Sequence, residues 1–211
     1  MEEKKNAGPP DILAKVISVI FHPLFMPLYG MIIIFTAPTL FWYIPFKVKK
    51  ILLFVVATNN VLIPVSLMPF FRYRNIISSW AIETRKERRI PLLAVSFFYS
   101  ITSFILFRLQ IPLFIKSFIF ATAVLAITVS VVNFWWKISL HSVGAGALAG
   151  LVIVLSLNMM VPLTWFLIPV LLISGLILSS RLRLNTHNPP EVYLGFITGI
   201  IGMYLLMLLF Q

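Results

Sequence analysis

An all-α membrane bundle of six to seven transmembrane helices is the fold class that the sequence predicts. Three observations carry this. The 211 residues are 60% hydrophobic and only 11% charged, with a mean hydropathy of +1.02. A soluble domain carries about 25% charged residues, so a bilayer has to be the main solvent. The apolar residues also come in continuous runs of roughly the 17–25 residues that cross a bilayer. Finally, these runs do not alternate as the strands of a membrane barrel do, which leaves helices. Helices in lipid are apolar all round, so run length rather than amphipathic period sets the elements.

The net charge of +11 is therefore concentrated between the runs. Such a charge suits anionic lipid or phosphate. Nucleic acid is not an expected partner, because no soluble basic module is present. The chain has no cysteine, so disulfide, zinc-thiolate and thiol redox chemistry are excluded.

Residues 1–12 read as a polar tail, and 13–211 as a single transmembrane domain. A cleaved signal peptide is not expected, since no small-residue cleavage site ends the first apolar run. Helix one falls within 13–37 and is broken near its start, where His22 precedes Pro23 and Pro27 follows; proline inside a helix removes a hydrogen bond. His22 has two readings, an interfacial packing residue or a group facing a site. Residues 38–50 form a loop ending in Lys47, Lys49 and Lys50, with Trp42 and Tyr43 as interfacial anchors. Helix two spans about 51–70 and holds Asn59, Asn60 and Pro64. Amides at that depth act as glue between helices or as functional groups.

Residues 71–90 form the longest polar segment, with Arg72, Arg74, Arg85, Lys86, Arg88 and Arg89. It reads either as a positive-inside loop or as a phosphate clamp, since guanidinium forks match phosphate oxygens. Helix three starts at Pro91 and runs to about Phe107. Helix four follows a turn at 108–112 and runs to about Trp136. Ser139 is then a candidate N-cap for helix five, over about 140–158, with His141 in its first turn. A helix N-terminus is a natural anion site. Gly146 and Gly150 form a Gly-x-x-x-Gly pair, read as a close-packing surface. Helix six covers about 161–179, and helix seven runs from about 190.

The segment from Ser179 to Gly195, SSRLRLNTHNPPEVYLG, is expected as a loop at one membrane face. It carries Arg181, Arg183, His187 and Glu191. His187 and Glu191 stand four apart, so an early helix start puts them on one face. Glu191 has a competing structural reading: Asn188 as N-cap, Pro189 in the first position and Glu191 in the third make a capping box. Parity adds a constraint. Two helices separate the 71–90 loop from His141, and two more separate His141 from His187. All three polar clusters therefore belong on the same membrane face. That face carries twelve of the seventeen Lys and Arg, which the positive-inside rule assigns to the cytoplasm, but an anion site is basic for its own reasons.

Ser180-Arg181-x5-His187-x3-Glu191 resembles the third signature of the type-2 phosphatidic acid phosphatase superfamily, Ser-Arg-x5-His-x3-Asp. Ile138-Ser139-Leu140-His141 is similar to the second, Pro-Ser-Gly-His. Arg85-Lys86-Glu87-Arg88-Arg89-Ile90-Pro91 resembles the first, Lys-x6-Arg-Pro, loosely. The order is that of the family, and the likeness covers roughly residues 70–211. The departures are Glu191 for Asp, Ile138 and Leu140 for Pro and Gly, the missing Lys of the first signature, and two apolar runs between the first and second.

The resemblance implies a metal-independent lipid phosphatase without a cofactor, in which arginines take the place of a cation. His187 would be the nucleophile, Glu191 would hold its other nitrogen, and His141 would be the general acid. Arg181, Ser139 and one or two of Arg85, Lys86, Arg88 and Arg89 would bind the phosphoryl oxygens. The implied partners are the bilayer and a phosphorylated lipid, whose tail is expected to lie in the bilayer while its phosphate reaches the site. The implied location is a bacterial plasma (inner) membrane. A rival expectation is a catalytically degenerate member that binds anionic lipid or serves as a scaffold.

Overall fold

A computed structural model describes residues 9–80, 82 and 84–210. Every regular element in them is helical: α1 (Pro9–Ile20), α2 (Met26–Thr36), α3 (Phe46–Ala57), α4 (Ile63–Tyr73), α5 (Arg89–Arg108), α6 (Leu113–Val132), α7 (Leu140–Met159), α8 (Thr164–Arg183) and α9 (Pro189–Leu209). Among the described residues seven stretches are long and apolar enough to cross a membrane: α1 with α2, α3 with α4, and α5 to α9 singly. The outer surface is apolar, with Phe54, Phe97, Leu172 and Ile201 exposed, as hydrocarbon solvent requires. Of the expected polar tail, residues 1–8 lie outside the described residues, whereas Asp11 and Ile12 already belong to α1.

Two spans are broken for identifiable reasons. His22 is extended (ψ 141°), as the residue before a proline tends to be, and a 3-10 turn over Pro23–Phe25 leads into α2. The second break is a π turn over Thr58–Leu62. Pro64 has no N–H to give the carbonyl of Asn60, which unseats the regular ladder there. Asn60 is fully buried, and its Oδ1 accepts the hydroxyl of Thr102 on α5 at 2.5 Å. It ties two helices together, the glue reading.

Several helix ends differ from the sequence expectation, by two to five residues. Lys47, Lys49 and Lys50 lie in α3 rather than in a loop, where long cationic side chains can still reach the interface. Helix α5 starts at Arg89, before Pro91, and α6 stops at Val132, short of Trp136. Arg181 and Arg183 are in the last turn of α8. Basic residues are favourable there against the helix dipole, so their charge marks a helix end and not a loop. The loop at this face shrinks to residues 184–188.

Helix α7 is the inner helix, packed by α2, α8 and α9, and its glycine and alanine face is fully enclosed. A Cβ on Gly146 would overlap the carbonyl oxygen of Phe196, and one on Gly199 would overlap that of Val143. A Cβ on Gly150 would stand 2.7 Å from the Ile200 carbonyl oxygen. Small residues on both helices thus bring the α7 and α9 backbones together. At the site end the Ser139 N–H donates to the Glu191 carbonyl oxygen at 3.1 Å. Replacing Gly199 or Gly146 by Leu is expected to force the two helices apart and to cost about 1–3 kcal/mol or more. A lowered thermal midpoint in detergent is the readout; an unchanged midpoint would show that the contact is not tight.

Candidate functional site

At the end where α5, α7 and α9 begin and α6 and α8 end, one cavity of about 1010 Å3 opens. Its polar lining comes from α1, α5, α6, α7, α8 and the loops between the helices. Arg88, His141, Arg181 and His187 all line it, together with His22 and Lys137. The three clusters separated in sequence by pairs of helices therefore meet at one end of the bundle.

His187 is buried. Its Nδ1 lies 2.6 Å from Glu191 Oε2, and since a carboxylate only accepts, Nδ1 carries the proton. The ring's Nε2 lies 3.4 Å from Arg88 Nη1, so Nε2 presents its lone pair to a guanidinium. Burial, and then the positive charges of Arg88, Arg181 and Lys137, hold the imidazole down to about 3 from its usual 6.5. The ring is thus neutral at ordinary pH, with its tautomer set by Glu191. Because the folded value is depressed, the contribution of this neutral ring to stability is complete above pH 6.5 and is lost as pH falls toward 3.

Glu191 serves two purposes with one carboxylate. It holds His187, and its Oε2 also accepts the Asn188 N–H at 3.4 Å, closing a capping box at the start of α9. Both sequence readings of Glu191 describe the same side chain. Capping fixes the first turn of α9, and that turn fixes the imidazole.

His141 sits in the first turn of α7 and is buried. Its Nε2 donates to the carbonyl oxygen of Ser18 on α1 at 3.0 Å, which leaves Nδ1 as the nitrogen free to exchange a proton. Ser18 does a second thing: its hydroxyl oxygen accepts from Arg181 Nη1 at 3.3 Å. One residue of the first helix thus positions two groups of the site. Nothing in its spacing or type marks Ser18 in the sequence. His22 stands beside His141, ring centroids 5.5 Å apart and edge-on, so the site-facing reading of His22 describes its place. Its Nδ1 accepts the Leu24 N–H at 3.3 Å.

Four basic residues were candidates in the 85–89 run, and Arg88 is the one that lines the cavity. Its Nε donates to the Ile82 carbonyl at 3.1 Å, which aims the guanidinium inward. Burial lowers its pKa from the usual value, and the Glu191 carboxylate raises it in part. The others are placed elsewhere. Arg85 Nη1 donates to the Trp135 carbonyl, Arg89 lies over the Phe134 ring at 5.0 Å, and Lys86 is exposed. Ser139 caps α7: its Oγ accepts from the Ser142 hydroxyl at 2.9 Å and from the Ser142 N–H at 3.4 Å. It is fully buried and does not line the cavity, so its place is that of a cap.

Arg181 has one feature that points outward from the protein. Its Nε is buried with no hydrogen-bond partner among the described residues, and such a donor is costly unless an acceptor meets it. An oxyanion bound in the cavity would supply that acceptor. Chemically, the arrangement offers two guanidiniums for an anion, a neutral imidazole whose lone pair faces one of them, and a second imidazole with a free nitrogen. No protein-family model, curated protein or solved structure matches the chain. What the site can do is carried by its own residues.

Arg88→Gln removes the nearest cation, so the His187 pKa is expected to rise above about 3 yet stay below 6.5 while the ring remains buried. Imidazole nitrogen chemical shifts followed against pH measure this. A value that does not move would separate Arg88 from the ring.

Proposed function

We propose that this chain is a multi-pass membrane phosphatase that removes phosphate from a lipid phosphomonoester or diphosphate through a phosphohistidine on His187. The observation that carries the reading is the pair of contacts on one ring: Glu191 at Nδ1 and Arg88 at Nε2. A nucleophile needs an unprotonated nitrogen and a fixed tautomer: Glu191 fixes the tautomer, and the Nε2 lone pair that faces Arg88 is released to phosphorus when that guanidinium takes a phosphoryl oxygen instead. The resemblance to the type-2 phosphatidic acid phosphatase superfamily supports the same reading from the motif order, over a single domain at 13–211. A bacterial plasma membrane is the proposed location.

In the proposed cycle Arg88 and Arg181 bind the phosphoryl oxygens and offset the charge that grows on them. The Nε2 lone pair of His187 attacks phosphorus, and the bond from phosphorus to the leaving oxygen breaks. His141, protonated at Nδ1 in the substrate complex, gives that proton to the leaving oxygen. The lipid departs as an alcohol, or as a monophosphate from a diphosphate. Water then loses a proton to the same Nδ1 and attacks the phosphohistidine. The phosphorus–nitrogen bond breaks, inorganic phosphate leaves, and His187 recovers its lone pair. Glu191 remains a carboxylate throughout and offsets the positive charge on the ring. Ser18 acts on this cycle by holding His141 and Arg181, and Ser139 by capping the helix that bears His141.

The second reading, a lipid-binding or scaffold protein, is favoured by Ile138 and Leu140 where the family signature has proline and glycine. One assay separates the two. Purified protein in detergent with a panel of lipid phosphates and EDTA is expected to release phosphate. His187→Ala is expected to lose at least about 10³-fold, His141→Ala about 10²–10⁴-fold, and Glu191→Gln about 10²-fold or more, each variant keeping a cooperative melt. No release by folded wild-type protein, with lipid binding retained, would support the scaffold reading.

A further inference from the structure

The cavity does not stop at the polar cluster. On α6 its lining runs from Val129 down to Phe118, and on α9 it reaches Met203. Phe118 is fourteen residues from Val132, the site end of α6. Met203 is fourteen residues from Pro189, the site end of α9. At 1.5 Å per residue both place the floor about 21 Å below the polar cluster, against a hydrocarbon core of about 30 Å. Two antiparallel helices give the same depth independently. At the floor the tip of the Phe118 ring abuts Gly30 of α2, where a Cβ would overlap it.

The walls below the histidines are mostly apolar, with Ala126 and Leu148 among them and Tyr99 and Thr122 the polar exceptions. Apolar walls offer water few partners, and a slot left empty deprives its lining of contacts. The membrane around the protein supplies an occupant of matching chemistry. Val19 on α1 and Val65 on α4 line the cavity and are both exposed, so the slot is open where those two helices flank it.

We infer that the hydrocarbon chain of the phosphorylated lipid is drawn off the bilayer into this slot, and that the distance from Arg88 and His187 to the Phe118–Met203 floor measures its length. The inference rests on the lipid-phosphate reading for its headgroup, and it differs from the expectation that the tail stays among the bilayer lipids. It makes the substrate a long-chain phosphate whose chain reaches past the middle of the membrane. Headgroup and tail are then held by one continuous cavity, so a chain that is too short leaves apolar wall without a partner and one that is too long meets the floor.

Two measurements test this. In the first, phosphate release is followed over a series of single-chain alkyl phosphates of increasing length. Wild-type kcat/KM is expected to rise with length and then fall off. Ala126 is six residues from Val132, about 9 Å down the slot, so Ala126→Phe is expected to shift the maximum to shorter chains. The long-to-short ratio of kcat/KM is expected to fall by about tenfold or more. A profile of unchanged shape in a folded variant would overturn the inference. In the second, an alkyl phosphate with a diazirine at its terminal carbon is photolysed with wild-type protein and the label is mapped by mass spectrometry. Labels on Phe118, Thr122 or Met203 are expected. Labels confined to outward residues such as Phe97 and Ile127 would overturn it. Should the protein release no phosphate from any chain, the phosphatase reading fails, and the labelling still decides whether the slot holds a chain.

Discussion

The carbonyl oxygens of Phe196 and Val143 occupy the space that side chains on Gly146 and Gly199 would need. That mutual exclusion lets α7 and α9 run backbone against backbone. The approach is reinforced at the site end, where the Ser139 N–H meets the Glu191 carbonyl. His141 is in the first turn of α7, and Glu191 is in the first turn of α9, so the spacing of the two helices sets where His141 stands relative to the carboxylate that holds His187. A bundle in lipid gains little from burying apolar surface between helices, and close packing of small residues is the main source of cohesion left to it. Here the same contact that holds the bundle together sets the geometry of the polar end.

From that frame the chemistry of the site follows by partner choice. Glu191 takes the proton-bearing nitrogen of His187 and leaves the other to face Arg88. The Ser18 carbonyl does the same for His141. In each case an acceptor that cannot donate decides which ring nitrogen is free. Burial and neighbouring cations keep His187 neutral, and a neutral ring is the form with a lone pair to offer. The positive charges that depress the imidazole are the ones that an oxyanion would satisfy. In the proposed cycle, binding of a phosphate and activation of the ring would therefore be coupled through the same guanidiniums.

The helices were legible because bilayer thickness imposes run length on sequence, and seven runs are seen as seven candidate spans. Their ends were less legible. Arg181 and Arg183 look like loop residues by charge, yet they close α8, where the dipole welcomes them. His187, His141, Glu191 and Arg181 could be named from type and spacing alone. Choosing Arg88 among its basic neighbours could not be done that way, because the direction of each side chain depends on how the loop turns into α5 and on the Ile82 carbonyl. Ser18 was invisible for a plainer reason: half of its contribution is a backbone oxygen, which every residue has. Gly195 and Gly199 carry the α9 half of the helix contact at the same spacing as Gly146 and Gly150, a signal present in the sequence on the other partner.

Trapping the intermediate tests the central claim most directly. Protein mixed with a long-chain lipid phosphate, quenched within its first turnovers and digested under alkaline conditions that preserve a phosphorus–nitrogen bond, is expected to carry one phosphoryl group on His187, within the peptide spanning residues 184–191. The modification should be acid-labile and should accumulate in His141→Ala supplied with a substrate whose leaving group needs no protonation. Phosphate release with no phosphoryl group on His187 at any time, or a phosphoryl group on another residue, would contradict the account.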